Sequence, residues 1–165
     1  MKKMLVLLMV SLPVASFAAS NPDESFFKDA AQAGMAEVAA GRDAEQKGTS
    51  PAVKEFAAMM VKDHSAANAK LKKIAMAEGV DLPDSPSMMQ KAMNKKTDLH
   101  SGDSFDNDYI RSQIRAHKDT IDLLQKEIDT GKDAPAKAFA AETLPKVKGH
   151  LEKITKIAAD AGVSS

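Results

Sequence analysis

Ile110, Ile114, His117, Ile121, Leu124 and Ile128 follow one another at steps of four, three, four, three and four residues. That period puts all six on one face of an α-helix, and an apolar stripe of that length is stable only when packed against other helices. The chain is therefore read as an assembly of helices, with His117 the single polar member of this stripe. Composition points the same way. Aromatic content is 4% with no Trp and one Tyr, while Ala, Lys, Glu, Leu, Ile and Met are abundant. At 165 residues, the chain has one domain's worth of length.

Punctuation marks predict where the helices start and stop. Asn21-Pro22-Asp23-Glu24 reads as a capping Asn, a Pro at the first helical position and a Glu three residues on. A first helix then runs to about Lys47, before Gly48. Ser50-Pro51 opens a second, ending near Glu78-Gly79. Val80 to Ser104 is a long link holding Pro83, Pro86 and Gly102, with a helical turn or two over Ser87 to Met93. A third long helix starts after Ser104 and ends at Gly131, and Asp133-Ala134-Pro135 caps a fourth that runs to Ala161-Gly162. The two tight connections predict antiparallel hairpins, and the long link can run the length of the molecule. This is an all-α four-helix bundle with one long crossover. An internal repeat supports two related hairpins: at an offset of 83, Phe56-Ala57-Ala58 matches Phe139-Ala140-Ala141, Ile74-Ala75 matches Ile157-Ala158, and Gly79-Val80 matches Gly162-Val163.

The N-terminus reads as an export signal. Lys2 and Lys3 precede an apolar run, Met4 to Val14, too short to anchor in a bilayer, and Ser16-Phe17-Ala18 supplies small residues for cleavage after Ala18. The expected mature domain is 19–165, in a bacterial periplasm, with no stable membrane insertion. Losing Lys2 and Lys3 from 23 basic residues set against 23 acidic ones leaves a net charge of about −2. Without a basic excess or stacking aromatics, no nucleic-acid partner is expected. The absence of Cys excludes disulfides, thiolate metal sites, iron–sulfur clusters and a Cys nucleophile. No glycine-rich phosphate loop or nucleophile elbow is present.

Polar residues interrupt the apolar seams at one level. Val53, Ala57, Met60, His64, Ala67, Leu71 and Ile74 form the stripe of the second helix, with His64 inside it. In the fourth, His150 is one turn from Val147 and Ile154, although Leu151 competes for the inward direction. In the first, Phe27, Ala30, Gly34, Glu37, Gly41 and Ala44 make a small-residue stripe holding one carboxylate, with Val38 competing. At about 1.5 Å of rise per residue, Glu37, His64, His117 and His150 fall roughly 16, 20, 18 and 16 Å from one end of the bundle. Three imidazoles and a carboxylate suit one divalent transition metal, Zn, Fe, Mn or Cu. Affinity is expected to fall as pH drops through about 6, where imidazole takes up a proton. The alternative is a buried polar network satisfied by its own hydrogen bonds. Asp63 points about 100° from His64 and is read as flanking the seam, its other reading being an outer partner of a ligand. Glu127, Glu142 and Asp108 read as solvated, and His100 as exposed. Met88, Met89 and Met93 with His100 would suit Cu(I), but Met at helical spacing ordinarily packs.

The runs FKDAAQAGMAEVAAGRDAEQK and SPAVKEFAAMMVKDHSAANAKLKKIA, with FDNDYIRSQIRAHKDTIDLLQKEIDTGKDAPAKAFAAETLPKVKGHLEKI, carry a resemblance. Over about residues 24 to 158, the chain resembles the exported ferritin-like family known as domain of unknown function 4142. Its motifs are GMAEV with Glu37, MVKDH ending at His64, IRA before His117 and TLPKVKGH ending at His150. The resemblance implies a ferritin-like four-helix fold in the bacterial envelope and no particular activity. A di-iron carboxylate site would need Glu three residues before its His ligands, and here Val61 and Val147 stand there. An enzymatic oxidoreductase is therefore not expected. Two functions stay open: metal handling or envelope stress, and a structural or protein-interaction module with a polar core. A protein partner or homo-oligomer stays open with either. Pro145 removes one hydrogen bond from the fourth helix about a turn before His150, where a kink is expected.

Overall fold

The computed structural model describes residues 21–98 and 100–164. The signal segment and its cleavage after Ala18 lie outside them. Among the described residues there are five helices and no strand: α1 (Glu24–Lys47), α2 (Pro51–Ala77), α3 (Met88–Asp98), α4 (Gly102–Thr130) and α5 (Ala134–Asp160). The short helix in the long link is longer than its expected turn or two. Ser87 and Gln90 close its start reciprocally: the Ser87 N–H donates to Gln90 Oε1 at 2.9 Å and the Gln90 N–H to Ser87 Oγ at 3.2 Å. The long helices pack as two hairpins, α1 on α2 and α4 on α5. These join through α1 against α4 and α2 against α5, while α3 lies against α1 and α4. None of the described helices is long and apolar enough to cross a membrane.

The apolar interior comes in two clusters. One gathers Phe26, Phe27, Leu71, Leu124, Phe139 and Val147. The other gathers Val53, Phe56, Met60, Phe105, Ile110 and Ile154. Each fully buried Phe or Met of this kind contributes roughly 1.5–3 kcal/mol. Chain direction follows from this division. α1 and α5 run from the first cluster to the second, and α2 and α4 run back, so the link carrying α3 crosses the length of the molecule as expected. Gly41 allows α1 to lie close on α2, since a Cβ there would stand 2.9 Å from Val61 Cγ2 and 3.0 Å from the Ala57 carbonyl oxygen.

Helix ends show where local signals are overridden. Asn21 does not start α1. Its Oδ1 accepts the Asp23 N–H at 2.8 Å in a preceding turn, and the helix begins at Glu24. Asp23 then turns its carboxylate away from its own helix to accept the Lys132 N–H at 2.6 Å and the Asp133 N–H. Likewise Ser50 makes no side-chain cap, because the buried Asp106 carboxylate accepts its N–H at 2.7 Å and the Thr49 hydroxyl at 2.7 Å. Asp133 caps α5 as expected, accepting the Ala136 N–H at 2.7 Å. The repeated stop signals fold alike. Gly79 (φ 68°) and Gly162 (φ 67°) take left-handed conformations suited to glycine, and Val80 and Val163 donate back to Ala75 and Ala158 at 2.8 and 2.9 Å.

Candidate metal centre

Between the two apolar clusters lies a polar layer, built by the stripes of four helices. His64 from α2, His117 from α4 and His150 from α5 are buried, at 8%, 1% and 4% exposure. One ring nitrogen from each lies within 4.8 Å of the others. Ring centroids are 5.6 Å apart for His64–His150 and His117–His150 and 5.9 Å for His64–His117, with planes 51° to 82° apart, so the rings converge without stacking. The competing Leu151 is only half-buried.

Hydrogen bonds outside the cluster orient two of the rings. His117 Nδ1–H donates to the Gln113 carbonyl at 2.8 Å, and His150 Nε2–H donates to Asp63 Oδ2 at 3.0 Å. These bonds fix the tautomers and leave His117 Nε2 and His150 Nδ1 as lone-pair nitrogens. Those two atoms and His64 Nε2 are buried with no hydrogen-bond partner. An imidazole held by a carboxylate or carbonyl on its far nitrogen is the usual support for a metal ligand. Asp63, read as flanking the seam, serves His150 rather than its neighbour His64, and Lys146 Nζ stands 3.8 Å from its other oxygen. Burial, then the neighbouring His117 and His150, push His64 down to about 3, and burial also lowers His150. Both rings are therefore neutral near pH 7, the form that coordinates metal.

Glu37 reaches the same layer, at 5% exposure, while Val38 is half-buried. Its carboxylate does not join the group of imidazole nitrogens. Burial raises its pKa, partly offset by His117 and by the Gln113 side chain. Gln113 and Tyr109 were not singled out from the sequence, yet both are buried beside these groups, each with an unpartnered oxygen. Their spacing was the available signal: Tyr109, Gln113 and His117 stand four residues apart on one helix. Burial, then Glu37, raises the Tyr109 hydroxyl well above its usual range.

Among the lesser candidates, His100 is exposed and pairs with Asp108, and Glu142 is exposed and pairs with Lys70. Glu127 departs from its expected solvated position. It is buried at the α4–α5 corner beside Asp23, with Oε1 unpartnered, because the turn at Gly131 folds back over it. Met88 and Met89 are exposed, at 81% and 72%.

The family model described as Domain of unknown function (DUF4142) matches residues 10–157. No curated protein matches the chain. Among solved structures, a DUF305 protein from Streptomyces coelicolor, named as a secreted protein, is similar with a TM-score of 0.76. Identity is 13%, and the match covers 89% of this chain and 96% of that one. CopM in its Cu(I)-bound and Cu(II)-bound forms is similar with a TM-score of 0.68 in both, at 14% and 13% identity, covering 84% of this chain and 96% of that one. CopM in an Ag-bound form gives 0.67 at 14% identity with the same coverage. At these identities, the likeness is one of fold.

Proposed function

The chain belongs to the DUF4142 family, and from that premise we propose that it is an exported metal-handling protein of the bacterial periplasm. In this reading, a signal peptide over 1–18 precedes a ferritin-like four-helix bundle over 19–165. The bundle holds one transition-metal ion on His64, His117 and His150. The observations that carry the proposal are one ring nitrogen from each of three buried imidazoles within 4.8 Å of the others, and a buried nitrogen without a hydrogen-bond partner on each of these rings. A polar core satisfied by itself would bond those nitrogens to each other, since burying an unpaired acceptor costs about 1–3 kcal/mol. Three imidazoles suit Cu(II) and Zn(II) better than Ca or Mg, and the copper-bound forms of CopM put copper first.

Metal analysis of tag-free protein tests this. Cu(II) or Zn(II) is expected to bind at one equivalent and to raise the melting temperature. His117→Ala should abolish both effects, and His100→Ala should keep them. Equal metal retention by the two variants would refute the ligand assignment. Burial also moves the acid limit expected from an ordinary imidazole. With His64 lowered to about 3 and His150 also lowered, protons compete less for these two nitrogens than for ordinary imidazoles, so affinity should fall less steeply below pH 6 than three free imidazoles would give. The folded apo protein should lose stability over the same range, because the unfolded imidazoles take up protons from about pH 6.5 downward.

A further inference from the structure

The three imidazoles are buried, so an ion arriving from water must cross the wall of the molecule. A cavity of about 430 Å³ opens between α1, α3 and α4, and Glu37 and Gln113 line it. These are the residues beside His117: the Gln113 backbone carbonyl accepts its Nδ1–H, and Glu37 lies near enough to His117 for the two to interact electrostatically. Both are more than nine-tenths buried, and each carries an acceptor oxygen, Glu37 Oε2 and Gln113 Oε1, with no partner. Nearer solvent, the exposed Asp29 and Asp119 line the same cavity. Helix α3 roofs it, tied to α1 by the Asn94 amide donating to the Ala36 carbonyl at 3.3 Å.

The lining has a charge bias. Three carboxyl residues contribute to it and no Lys, Arg or His, in a chain with 23 Lys and Arg. A concave site walled by acids concentrates cations. Its remaining polar groups are amides and hydroxyls, whose oxygens can replace the water around a hard or borderline cation. Building on the metal proposal above, we infer that this cavity is the way in for a hydrated divalent cation. Glu37 and Gln113 take the ion from water and pass it to His117.

Stopped-flow loading of the full mature chain with Co(II) tests the route. Tetrahedral imidazole coordination of Co(II) gives visible absorption bands, so rate and final occupancy are read together. Two variants perturb the cavity without removing an imidazole. Glu37→Gln keeps the side chain's shape and replaces the carboxyl with an amide, and Ser112→Lys sets a cation in the wall. Both should reach the wild-type final absorbance, with loading at least tenfold slower. Wild-type rates in both variants would overturn the route and leave the metal site standing. Loss of the final absorbance in Glu37→Gln alone would also overturn it, making Glu37 a ligand instead of a relay. A wild-type chain that gains no Co(II) bands would overturn the metal proposal itself.

Discussion

The two halves of the molecule share a frame and differ in what they hang on it. At the offset of 83, Asp23 corresponds to Asp106, and the acceptor relation is repeated. Asp106, near the start of α4, takes the N–H groups of Thr49 and Ser50 at the α1–α2 turn. Asp23, before the start of α1, takes those of Lys132 and Asp133 at the α4–α5 turn. Each half pins the other half's turn with a carboxylate, and each ends in the same glycine-valine stop. The polar layer does not repeat. His64 has Val147 as its counterpart, His150 has Ala67, His117 has Gly34 and Glu37 has Thr120. The frame is common property of both hairpins, whereas the imidazole cluster is assembled once, from both of them.

The largest effect should come from breaking the shared frame. Asp106→Ala strips charge-assisted hydrogen bonds from a buried turn and should lower unfolding stability by about 3 kcal/mol, read from urea denaturation. Asp23→Ala should lose less, because it also relieves the buried Glu127 beside it. Equal losses would mean that Glu127 is not a strain on that corner. A smaller effect is expected from making the halves alike in the polar layer. His64→Val copies the residue at Val147 and removes an unpartnered buried nitrogen. The apo protein should be unharmed or gain about 1 kcal/mol, while metal-induced stabilisation disappears. A large loss of apo stability would show that the imidazole is structural.

The smallest effect concerns the two corners. Position 127 holds Glu where the first half has Ala44. Burial, then Asp23 and Asp133, raise Glu127 to about 7. A carboxyl whose folded pKa lies above its unfolded value favours folding while protonated, and that support is lost as pH rises through about 7. Glu127→Gln should therefore raise the melting temperature at pH 8 and leave it unchanged at pH 5. The same shift at both pH values would rule out the proton as its cause.

The all-helical layout was legible because its signals are local: Pro51, Gly79, Asp133 and Gly162 sit at helix ends, and in the stripe from Ile110 to Leu124 every member is buried but the half-buried Ile121. The common level of the imidazoles was legible for a related reason, since helical rise turns residue counts into heights. What the sequence hid depends on partners far along the chain. Asn21 and Ser50 carry the right local chemistry for caps, but Asp23 and Asp106 act on turns more than fifty residues away. Glu127 resembled any solvated acid until the Gly131 turn closed over it. Asp63 had its direction fixed by α5, and the cavity beneath α3 exists only once three helices meet.

His64 belongs to the first hairpin, whereas His117 and His150 belong to the second. An ion gripped by all three would therefore act as a clasp across the seam between hairpins. Under mechanical pulling, or during extrusion through a pore, such a clasp resists the hairpins' parting while doing little to keep either one folded.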